Sequence, residues 1–299
     1  MIEPTGILLV DKPAGPTSHD VVDIVRRAMG IRRIGHTGTL DPAATGLLVL
    51  LTGRATRLSR FFLEREKAYQ GRIKLGFATD TWDAAGKPAA DAKPVDAPPG
   101  FFTEWERRMR GEVLQTPPPY SAKKIEGVPA YKLARKGESP VLEPKRVFIH
   151  DFQITERGPD FVDFYLKCSA GFYVRTLAHE LGAELGCGGH LQSLRRVASG
   201  DFNIQQAFTL DAILRDPAAC LRPLETLELG FGRLLISPEG AAKLLNGLPL
   251  AGPNVLRAEA EPAATLRDLY LVHTQREGVA GLVTRIGAHL YKPTVMFGD

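Results

Sequence analysis

The sequence predicts a mixed α/β protein that ends in a small β-rich domain. Short apolar runs that are typical of buried strands alternate with amphipathic segments of helical spacing. A hairpin pattern over 147–169 adds an antiparallel pair, and short strand patterns replace the alternation beyond about residue 230. The chain of 299 residues is long enough for one large or two ordinary domains. We therefore expect one boundary near residue 230, with domains over 1–230 and 231–299.

The N-terminal half begins with a strand and a well-delimited helix. Ile7 to Val10 form an apolar run that predicts a buried strand. A helix should follow, because Thr17 or Ser18 can cap its first turn and Gly30 can end it. The later patterns predict a buried strand over 47–51, a helix over 54–62, a strand over 69–77, a polar loop over 78–100 and a short helix with capping-box spacing from Thr103 to Glu106.

The C-terminal half is predicted to contain a hairpin, two helices and three further strands. The hairpin strands cover 147–155 and 161–169, with a turn at Gly158-Pro159-Asp160. Apolar residues at helical spacing from Val174 to Leu185 indicate an amphipathic helix. The last patterns predict a helix that begins at Ser237-Pro238 and ends at Gly247, and strands over 269–273, 282–286 and 290–297.

The composition is that of an ordinary soluble protein. Hydrophobic residues make up 44% and charged residues 24% of the chain. No apolar run reaches the roughly 18 residues that a membrane span needs, and the first residues lack a secretory leader pattern. Three widely spaced cysteines indicate reduced thiols, which favours a cytoplasmic location. Cys187 and His190 form an isolated pair, and His179-Glu180 lacks a second histidine, so we expect no metal site.

A basic segment over 117–146 carries as much net charge as the whole chain, +4. Its lysines and arginines are interleaved with Tyr120 and Tyr131, a pattern that is typical of surfaces that contact phosphates and bases. The alternative is a solvated loop that happens to be basic. The basic residues are Lys123, Lys124, Lys132, Arg135, Lys136, Lys145 and Arg146.

A glycine-rich loop over 35–46, here called the Asp41 loop, presents a single carboxylate. Its three glycines permit backbone dihedrals that are closed to other residues, so the stretch is not a helix interior. Asp41 is its only acidic residue and precedes the apolar run over 47–51. Asp41 is therefore a candidate catalytic residue. The alternative is a surface turn in which Asp41 and Thr39 cap local backbone groups.

Two distant segments supply the partners that an active carboxylate needs. Tyr69 opens a predicted strand, and Tyr173 and Arg175 stand two apart where a strand meets a helix. In an extended strand end such residues face the same side, so both can line one cleft. An arginine beside Asp41 should hold it ionised by lowering its pKa, and tyrosine rings can stack on a nucleobase. The alternatives are half-buried strand tyrosines and a capping or surface arginine.

Seven ordered motifs give the chain a specific resemblance to a known family, the TruB family of bacterial tRNA pseudouridine-55 synthases. The resemblance covers about residues 5 to 230, and the tail from about Leu229 resembles the family more weakly. The motifs are Gly6 to Pro13, the Asp41 loop, Lys67-Ala68-Tyr69, Leu75-Gly76 with Thr79-Asp80-Thr81-Trp82-Asp83, Pro119-Tyr120-Ser121-Ala122, Cys168 to Thr176, and Leu194-Arg195-Arg196.

The resemblance implies an α+β pseudouridine synthase domain around a central antiparallel sheet, followed by a PUA-like RNA-binding domain. It implies that uridine 55 in the tRNA T loop becomes pseudouridine without metal, nucleotide or redox cofactor. Asp41 is then the catalytic carboxylate, because a carboxylate can serve as a nucleophile in sugar chemistry. Attack on C1′, attack on C6 and elimination through a glycal remain open.

The resemblance also assigns roles to the other site residues. Tyr69 would stack on the base and act as a base in the elimination route, and Arg175 would pair with Asp41. The remaining expected substrate contacts are Tyr173 by hydrogen bonding, Leu194 by packing, His36 by filling the space of the flipped uridine, and Lys12. The basic segment would grip the RNA backbone through Lys123, Lys124, Lys132, Lys136 and Lys145.

The expected partner is the T arm of tRNA, with no membrane and no guide RNA, and we expect a monomer. One alternative is a non-catalytic RNA-binding or RNA-chaperone protein, which would predict decay of the Asp41 loop. That loop is intact, although a tRNA-folding role can coexist with catalysis. The other alternative is a guide-RNA-directed synthase of archaea and eukaryotes. The basic segment favours a stand-alone enzyme, because it supplies RNA contacts that a guide would otherwise provide.

Overall fold

The computed structural model describes residues 3–121, 124–125, 128–129, 142–224, 229–266, 268–275 and 278–297. Most of the basic segment therefore lies outside the described residues, including Lys123, Lys132 and Lys136. The backbone of Lys124 lies in a two-residue strand. Lys145 is exposed and opens a long strand.

Strands carry most of the described structure. They are β1 (Gly6–Lys12), β2 (Ile34–His36), β3 (Thr45–Thr52), β4 (Lys67–Leu75), β5 (Gly111–Gln115), β6 (Lys124–Ile125), β7 (Val128–Pro129), β8 (Lys145–Arg157), β9 (Phe161–Cys168), β10 (Gly189–Ser199), β11 (Phe202–Asn203), β12 (Phe208–Thr209), β13 (Arg222–Pro223), β14 (Gly232–Ile236), β15 (Leu250–Ala251), β16 (Val255–Ala260), β17 (Leu269–Thr274), β18 (Gly278–Gly287) and β19 (Leu290–Met296).

Short helices connect these strands. They are α1 (Ser18–Met29), α2 (Ser59–Leu63), α3 (Phe101–Arg108), α4 (Val174–Glu184), α5 (Leu210–Arg215), α6 (Pro217–Cys220) and α7 (Pro238–Leu245), with 3-10 turns at Gly53–Leu58, Ile204–Gln206, Gly252–Asn254 and Ala264–Leu266. Within the described ranges, each helix is too short or too polar to serve as a membrane span.

Two sheets organise the chain and confirm the predicted mixed α/β fold with a β-rich end. The first sheet has the order β12-β1-β3-β10-β4-β9-β8-β5, and most of its neighbours are antiparallel. The second has the order β15-β19-β18-β17-β14-β16. The last strand of the first sheet ends at Pro223 and the second sheet begins at Gly232.

Local signals at the ends of α1 were interpreted correctly. Thr17 accepts a hydrogen bond from the Asp20 backbone, and Gly30 ends the helix at a φ of 63°. The short helix predicted at α3 is observed, but its predicted start was wrong, because it begins at Phe101 after Gly100 and the capping box expected at Thr103 does not form. Gly100 has a φ of 80°, a conformation that glycine adopts without strain, so it can start the helix two residues earlier.

The sequence interpretation missed the central strand β10, which lies between β3 and β4. Two register shifts interrupt its pairing with β4, between Leu191 and Ser193 and between Arg196 and Ala198. Each shift breaks the alternation of inward and outward residues, so the sequence lacks a regular strand pattern. This strand matters for function because Leu194 and Arg196 both reach the cavity described below.

The two sheets share one hydrophobic cluster. Leu9 and Leu47 of the first sheet belong to it together with Leu282 and Phe297 from the C-terminal region. Polar contacts reinforce this packing, because Arg54 Nη1 donates to the Phe297 carbonyl at 2.5 Å. The burial of these apolar side chains fixes the second sheet against the first.

Candidate active site

A cavity of 280 Å³ opens beside β4 and β10, next to the N-terminus of α4. Its walls come from the Asp41 loop, β4, β10 and the segment that leads into α4. Five side chains predicted for the site line it, namely Asp41, Tyr69, Tyr173, Arg175 and Leu194. The fold thus brings together residues from four segments that are far apart in sequence.

Lys12 stabilises the Asp41 loop through hydrogen bonds to backbone carbonyl oxygens. Its side chain is fully buried, and its Nζ donates to the carbonyl oxygens of Pro13, Pro42 and Ala44 at 2.9, 3.1 and 2.7 Å. Burial lowers the pKa of Lys12, while the negative charge of Asp41 opposes this. This placement does not support the predicted substrate contact. Lys12 instead fixes the backbone on both sides of Asp41.

Two further contacts fix the same loop. The Ser18 hydroxyl at the start of α1 donates to the Leu40 carbonyl at 3.0 Å and accepts from the Leu40 amide at 2.8 Å. At the other end of the loop, Gly46 has a φ of 99°, and a Cβ there would overlap the backbone of Arg196. The glycine therefore allows β3 and β10 to approach closely at the cavity.

Arg175 pairs with Asp41 inside the cavity. Its Nε lies 3.0 Å from Asp41 Oδ2, and its Nη2 donates to Oδ1 at 3.4 Å. The other nitrogen, Nη1, donates to the carbonyl oxygens of Tyr120 at 3.0 Å and Thr81 at 3.4 Å, and lies 3.8 Å from Asp83 Oδ2. The Arg175 side chain is only 9% exposed, so this geometry is well constrained.

The predicted helix from Val174 and the predicted position of Arg175 at the cavity are both observed, but the extended conformation expected at Arg175 was wrong. Arg175 lies in the first turn of α4, and only Tyr173, the N-cap, is extended. The two side chains therefore do not share a strand face. They meet at the cavity because the chain turns between them from an extended to a helical conformation.

The net direction of the Asp41 pKa differs from the prediction. Burial raises the pKa of the Asp41 carboxyl, the guanidinium of Arg175 opposes this, and the carboxylate of Asp83 adds to the rise. The side chain remains 43% exposed toward the cavity while protein surrounds its other sides. Asp41 is therefore accessible to a ligand, and the effect of burial on its pKa exceeds that of its ion pair.

Tyr69 lies across the cavity on β4, directly opposite Arg196 of β10 in the sheet register. Burial raises the pKa of the Tyr69 hydroxyl, and the positive charge of Arg196 opposes this. The ring is partly exposed and lines the cavity. It can therefore present an aromatic face to a flat ligand near Asp41.

Arg196 is a buried cation that the sequence interpretation did not assign to the site. It is 2% exposed, and it donates from Nε to the Leu47 carbonyl at 2.7 Å and from Nη2 to the Gly38 carbonyl at 3.1 Å. The adjacent Arg195 instead forms a two-pronged pair with Asp11, at 2.7 and 3.0 Å. The Arg195-Arg196 pair is evident in the sequence, but only the register of β10 shows which of the two arginines faces the cavity.

Lys67 is a second cavity residue that was not predicted. Its Nζ donates to the carbonyl oxygens of Leu63 and Arg65, both at 2.6 Å, and so satisfies backbone groups where α2 ends. Burial lowers the pKa of Lys67 to about 8, and the charge of Arg196 acts in the same direction. A lysine at the start of a strand gives no signal of this role in the sequence.

A buried glutamine fixes the backbone of Tyr173. Gln115 Nε2 donates to the Tyr173 carbonyl at 2.9 Å, and the Tyr173 amide donates to Gln115 Oε1 at 2.7 Å. Burial raises the pKa of the Tyr173 hydroxyl. Tyr173 lines the cavity, and Leu194 adds an apolar wall from β10.

His36 lies on β2 at the start of the Asp41 loop and does not line this cavity. Its Nδ1 accepts a hydrogen bond from the Gly38 amide at 3.4 Å. Burial lowers the pKa of His36 below its ordinary value, so the ring is neutral at pH 7. A neutral imidazole at the loop edge is compatible with a contact outside the cavity.

The described residues contain no group of three or more histidine, cysteine or acidic side chains that could hold a metal ion. Cys168, Cys187 and Cys220 are buried and free. The lining of the cavity carries a carboxylate, two phenols and several cations.

The sequence is similar to family models and to curated proteins. Residues 26–174 match the N-terminal domain of the TruB family of pseudouridylate synthases, and residues 175–227 match the C-terminal domain of tRNA pseudouridylate synthase B. The tRNA pseudouridine synthase B of Opitutus terrae is 49% identical over 222 residues, which cover 71% of this chain and 90% of the relative. The enzyme of the same name from Solibacter usitatus is 38% identical over 299 residues, covering 97% and 99%.

A solved structure shares the fold. It is that of an H/ACA RNP bound to a substrate RNA containing 2′-deoxyuridine, with a TM-score of 0.71 over 98% of this chain and 85% of that chain. The two sequences are 22% identical. The likeness therefore concerns the architecture, including the β-rich end of the chain.

Proposed function

This chain belongs to the TruB family of pseudouridylate synthases, and on that premise we propose that it converts uridine 55 in the T loop of tRNA to pseudouridine. The observation that carries the proposal is the Asp41–Arg175 pair, which lies in a cavity walled by Tyr69 and Leu194. An accessible carboxylate, a fixed cation and an aromatic face are what this isomerisation needs. We assign the catalytic roles to Asp41, Tyr69 and Arg175.

The reaction breaks the N1–C1′ bond of the uridine, rotates the detached uracil and joins its C5 to C1′. No atom is gained or lost, because the proton that leaves C5 is balanced by one taken up at N1. Asp41 acts as the nucleophile in this proposal, or as the base that initiates elimination. Arg175 keeps the carboxylate oriented toward the sugar and stabilises its charge. Tyr69 can accept a proton in the elimination route.

The uridine must leave its stack before it can react. A cavity of 280 Å³ cannot admit a folded RNA loop, so a single nucleotide has to be extruded into it. Extrusion costs a few kcal/mol, which contacts with the base must offset. In our proposal Tyr69 stacks on the base, Leu194 packs against it and Tyr173 donates a hydrogen bond. His36 fills the gap left in the T loop.

The rest of the tRNA T arm binds outside the cavity. We propose that the basic segment grips the RNA backbone through Lys123, Lys124, Lys132, Lys136 and Lys145. We further propose that residues 231–299 form a PUA-like RNA-binding domain after a catalytic domain over 1–230. The protein acts as a cytoplasmic monomer, without a cofactor or guide RNA. A tRNA-folding role can accompany the modification.

The direct test is to incubate the purified protein with a bare tRNA transcript and to locate pseudouridine by mass analysis after chemical labelling. We expect one pseudouridine, at position 55, and none in a transcript that carries cytidine there. The Asp41→Asn protein is the matched control. Absence of product from the wild-type protein would contradict the proposal, and product that appears only after a guide RNA is added would favour the guide-directed alternative.

A further inference from the structure

An aromatic pair lies just outside the cavity, on the far side of Arg175. Trp82, in the loop that follows β4, stacks on His179 of α4 with ring centroids 4.2 Å apart and planes only 5° from parallel. His179 follows Arg175 by one helical turn, so the two side chains emerge on the same side of α4. Neither ring lines the cavity, and neither has a role in the function proposed above.

The loop around Trp82 supplies two of the oxygens that face Arg175. Thr81 offers its carbonyl to Arg175 Nη1 at 3.4 Å, and the Asp83 carboxylate lies 3.8 Å from the same nitrogen. Trp82 stands between these two residues in the chain. The position of its ring on α4 is therefore linked through the backbone to the position of both oxygens.

The loop adopts an unusual conformation at this point. Trp82 has a φ of 61°, in the left-handed region that bulky residues rarely occupy. Its neighbours hold it there, because the Trp82 amide donates to the Thr79 carbonyl at 3.3 Å and the Leu191 amide donates to the Trp82 carbonyl at 3.0 Å. A glycine would adopt this conformation with less strain. The backbone therefore does not favour a tryptophan at this position, and its side chain must.

The polar contacts of the pair do not explain its geometry. His179 Nδ1 is buried without a hydrogen-bond partner among the described residues. Burial also lowers the pKa of His179, which keeps the ring neutral at pH 7. The contact that the structure shows for the imidazole is its flat stacking on the indole. Asp83, in turn, is oriented by the Thr81 hydroxyl at 2.6 Å.

We propose that the Trp82–His179 stack is a positioning device for Arg175. By fastening the 81–83 loop to α4, it keeps the Thr81 carbonyl and the Asp83 carboxylate against Nη1. The guanidinium then presents Nε and Nη2 to Asp41. Trp82 and His179 are positioning residues that act through Arg175 and do not touch the substrate. This inference rests on the proposed function, because it concerns the same Asp41–Arg175 pair.

Four variants separate the effect of the ring stacking from the effect of the strained backbone at Trp82. Trp82→Gly removes the ring and relieves the positive φ, whereas Trp82→Phe keeps a ring at the same φ. His179→Ala removes the stacking partner from the helix side, and His179→Phe keeps a flat ring without a titratable nitrogen. The measured quantities are the single-turnover rate at saturating tRNA, the dissociation constant for tRNA and the melting temperature.

We expect Trp82→Gly and His179→Ala each to lower the single-turnover rate about ten- to hundredfold, the loss typical of a small misplacement of a catalytic group. The tRNA dissociation constant should change by less than about twofold, since neither ring contacts the RNA in this proposal. Both phenylalanine variants should retain most of the rate. The double variant should be no slower than the slower single one, because both changes break the same contact.

A wild-type rate in Trp82→Gly would overturn the inference, as would a double variant whose loss equals the product of the two single losses. If Trp82→Gly does not fold at the assay temperature, His179→Ala with His179→Phe as its rescue carries the same test. The wild-type protein is assayed first. Its failure to make pseudouridine would refute the proposed function, whereas normal wild-type activity with unaffected variants would refute only the positioning role.

Discussion

The two sides of the cavity are held in different ways. On the Asp41 side, the fully buried Lys12 and the buried Ser18 bind the loop backbone directly, and Arg196 of β10 adds one hydrogen bond at the Gly38 carbonyl. On the Arg175 side, the guanidinium meets oxygens from two separate segments, the 81–83 loop with Thr81 and Asp83 and a second segment with Tyr120. The loop that carries Asp41 is thus fixed mainly by hydrogen bonds from Lys12 and Ser18, whereas Arg175 depends on the 81–83 loop and on Tyr120.

This difference teaches which changes should affect stability and which should affect only the rate. The hydrogen bond from Lys12 to the Ala44 carbonyl is buried, so losing it leaves an unsatisfied carbonyl in the protein interior. The contacts of Arg175 adjust an orientation, and an altered orientation costs rate before it costs stability.

The largest effect is expected for Asp41→Asn, which is nearly isosteric and removes the nucleophile. Pseudouridine should fall below detection by mass analysis, with unchanged tRNA affinity. The raised pKa of Asp41 means that the folded state disfavours its ionised form at pH 7. Removal of the charge should therefore leave the melting temperature equal or slightly higher. Product from Asp41→Asn protein that is free of wild-type enzyme would refute the catalytic assignment.

Lys12→Met should impair both folding and activity. The change keeps the length of the side chain but removes three hydrogen bonds to the loop. We expect the free energy of unfolding to fall by about 1–3 kcal/mol, together with a clear loss of rate. Urea denaturation and single-turnover assays measure the two effects. A stable Lys12→Met protein with normal activity would show that the two sides of the cavity do not differ as described.

Arg175→Lys should affect the rate alone. Lysine retains the charge but cannot offer Nε and Nη2 to the two oxygens of Asp41 at once. The single-turnover rate should fall by about a hundredfold, with little change in melting temperature. Arg72→Lys is the matched control, because Arg72 forms a similar pair with Asp163 outside the cavity, at 2.6 Å. Equal rates for the two variants would argue against the pairing with Asp41.

Neutralising Lys123, Lys124, Lys132, Lys136 and Lys145 together should weaken tRNA binding and flatten its dependence on salt. Each lost phosphate contact should reduce the slope of log K against log salt by about 0.7–0.9. The rate on saturating tRNA should change less than the affinity. Neutralising the exposed Lys87 and Lys93 serves as a control. An unchanged slope would show that the basic segment is a solvated loop.

The smallest expected effect is a shift in the pH dependence of the rate. The rate should fall as the pH decreases through the pKa of Asp41. The midpoint of this fall should lie at a pH above the pKa of an ordinary aspartate, which is about 3.9. Arg175→Met should move it to higher pH, because the guanidinium lowers the pKa, and Asp83→Asn should move it to lower pH. Rates normalised to each variant's own plateau isolate the shift. Movement of both variants in one direction would contradict the electrostatic account.

The sequence was sufficient where a signal is local. The ends of α1 follow from Thr17 and Gly30, and the alternating patterns located the hairpin of β8 and β9. The motifs also led to five of the residues that line the cavity, namely Asp41, Tyr69, Tyr173, Arg175 and Leu194. These predictions succeeded because capping, alternation and glycine conformations depend on neighbours in the chain.

The sequence was insufficient where tertiary context decides. The bulges of β10 hide its strand pattern, so Arg196 could not be assigned to the cavity or distinguished from Arg195. The pKa of Asp41 depends on how much protein surrounds it, which no spacing in the chain reveals. The buried positions of Lys12 and Lys67 follow equally from packing, because isolated lysines are usually exposed.

The irregular register of β10 has a consequence for how this region can change in evolution. Arg195 and Arg196 lie on opposite faces of the strand, one toward Asp11 and the other toward Gly38. Deletion or insertion of one residue between Leu191 and Ala198 would exchange these faces and turn the wrong arginine toward the cavity. A change in the length of this segment is therefore expected to be more damaging than the substitution of its residues outside these contacts. Homologous sequences should differ in residue type within this segment while keeping its length constant.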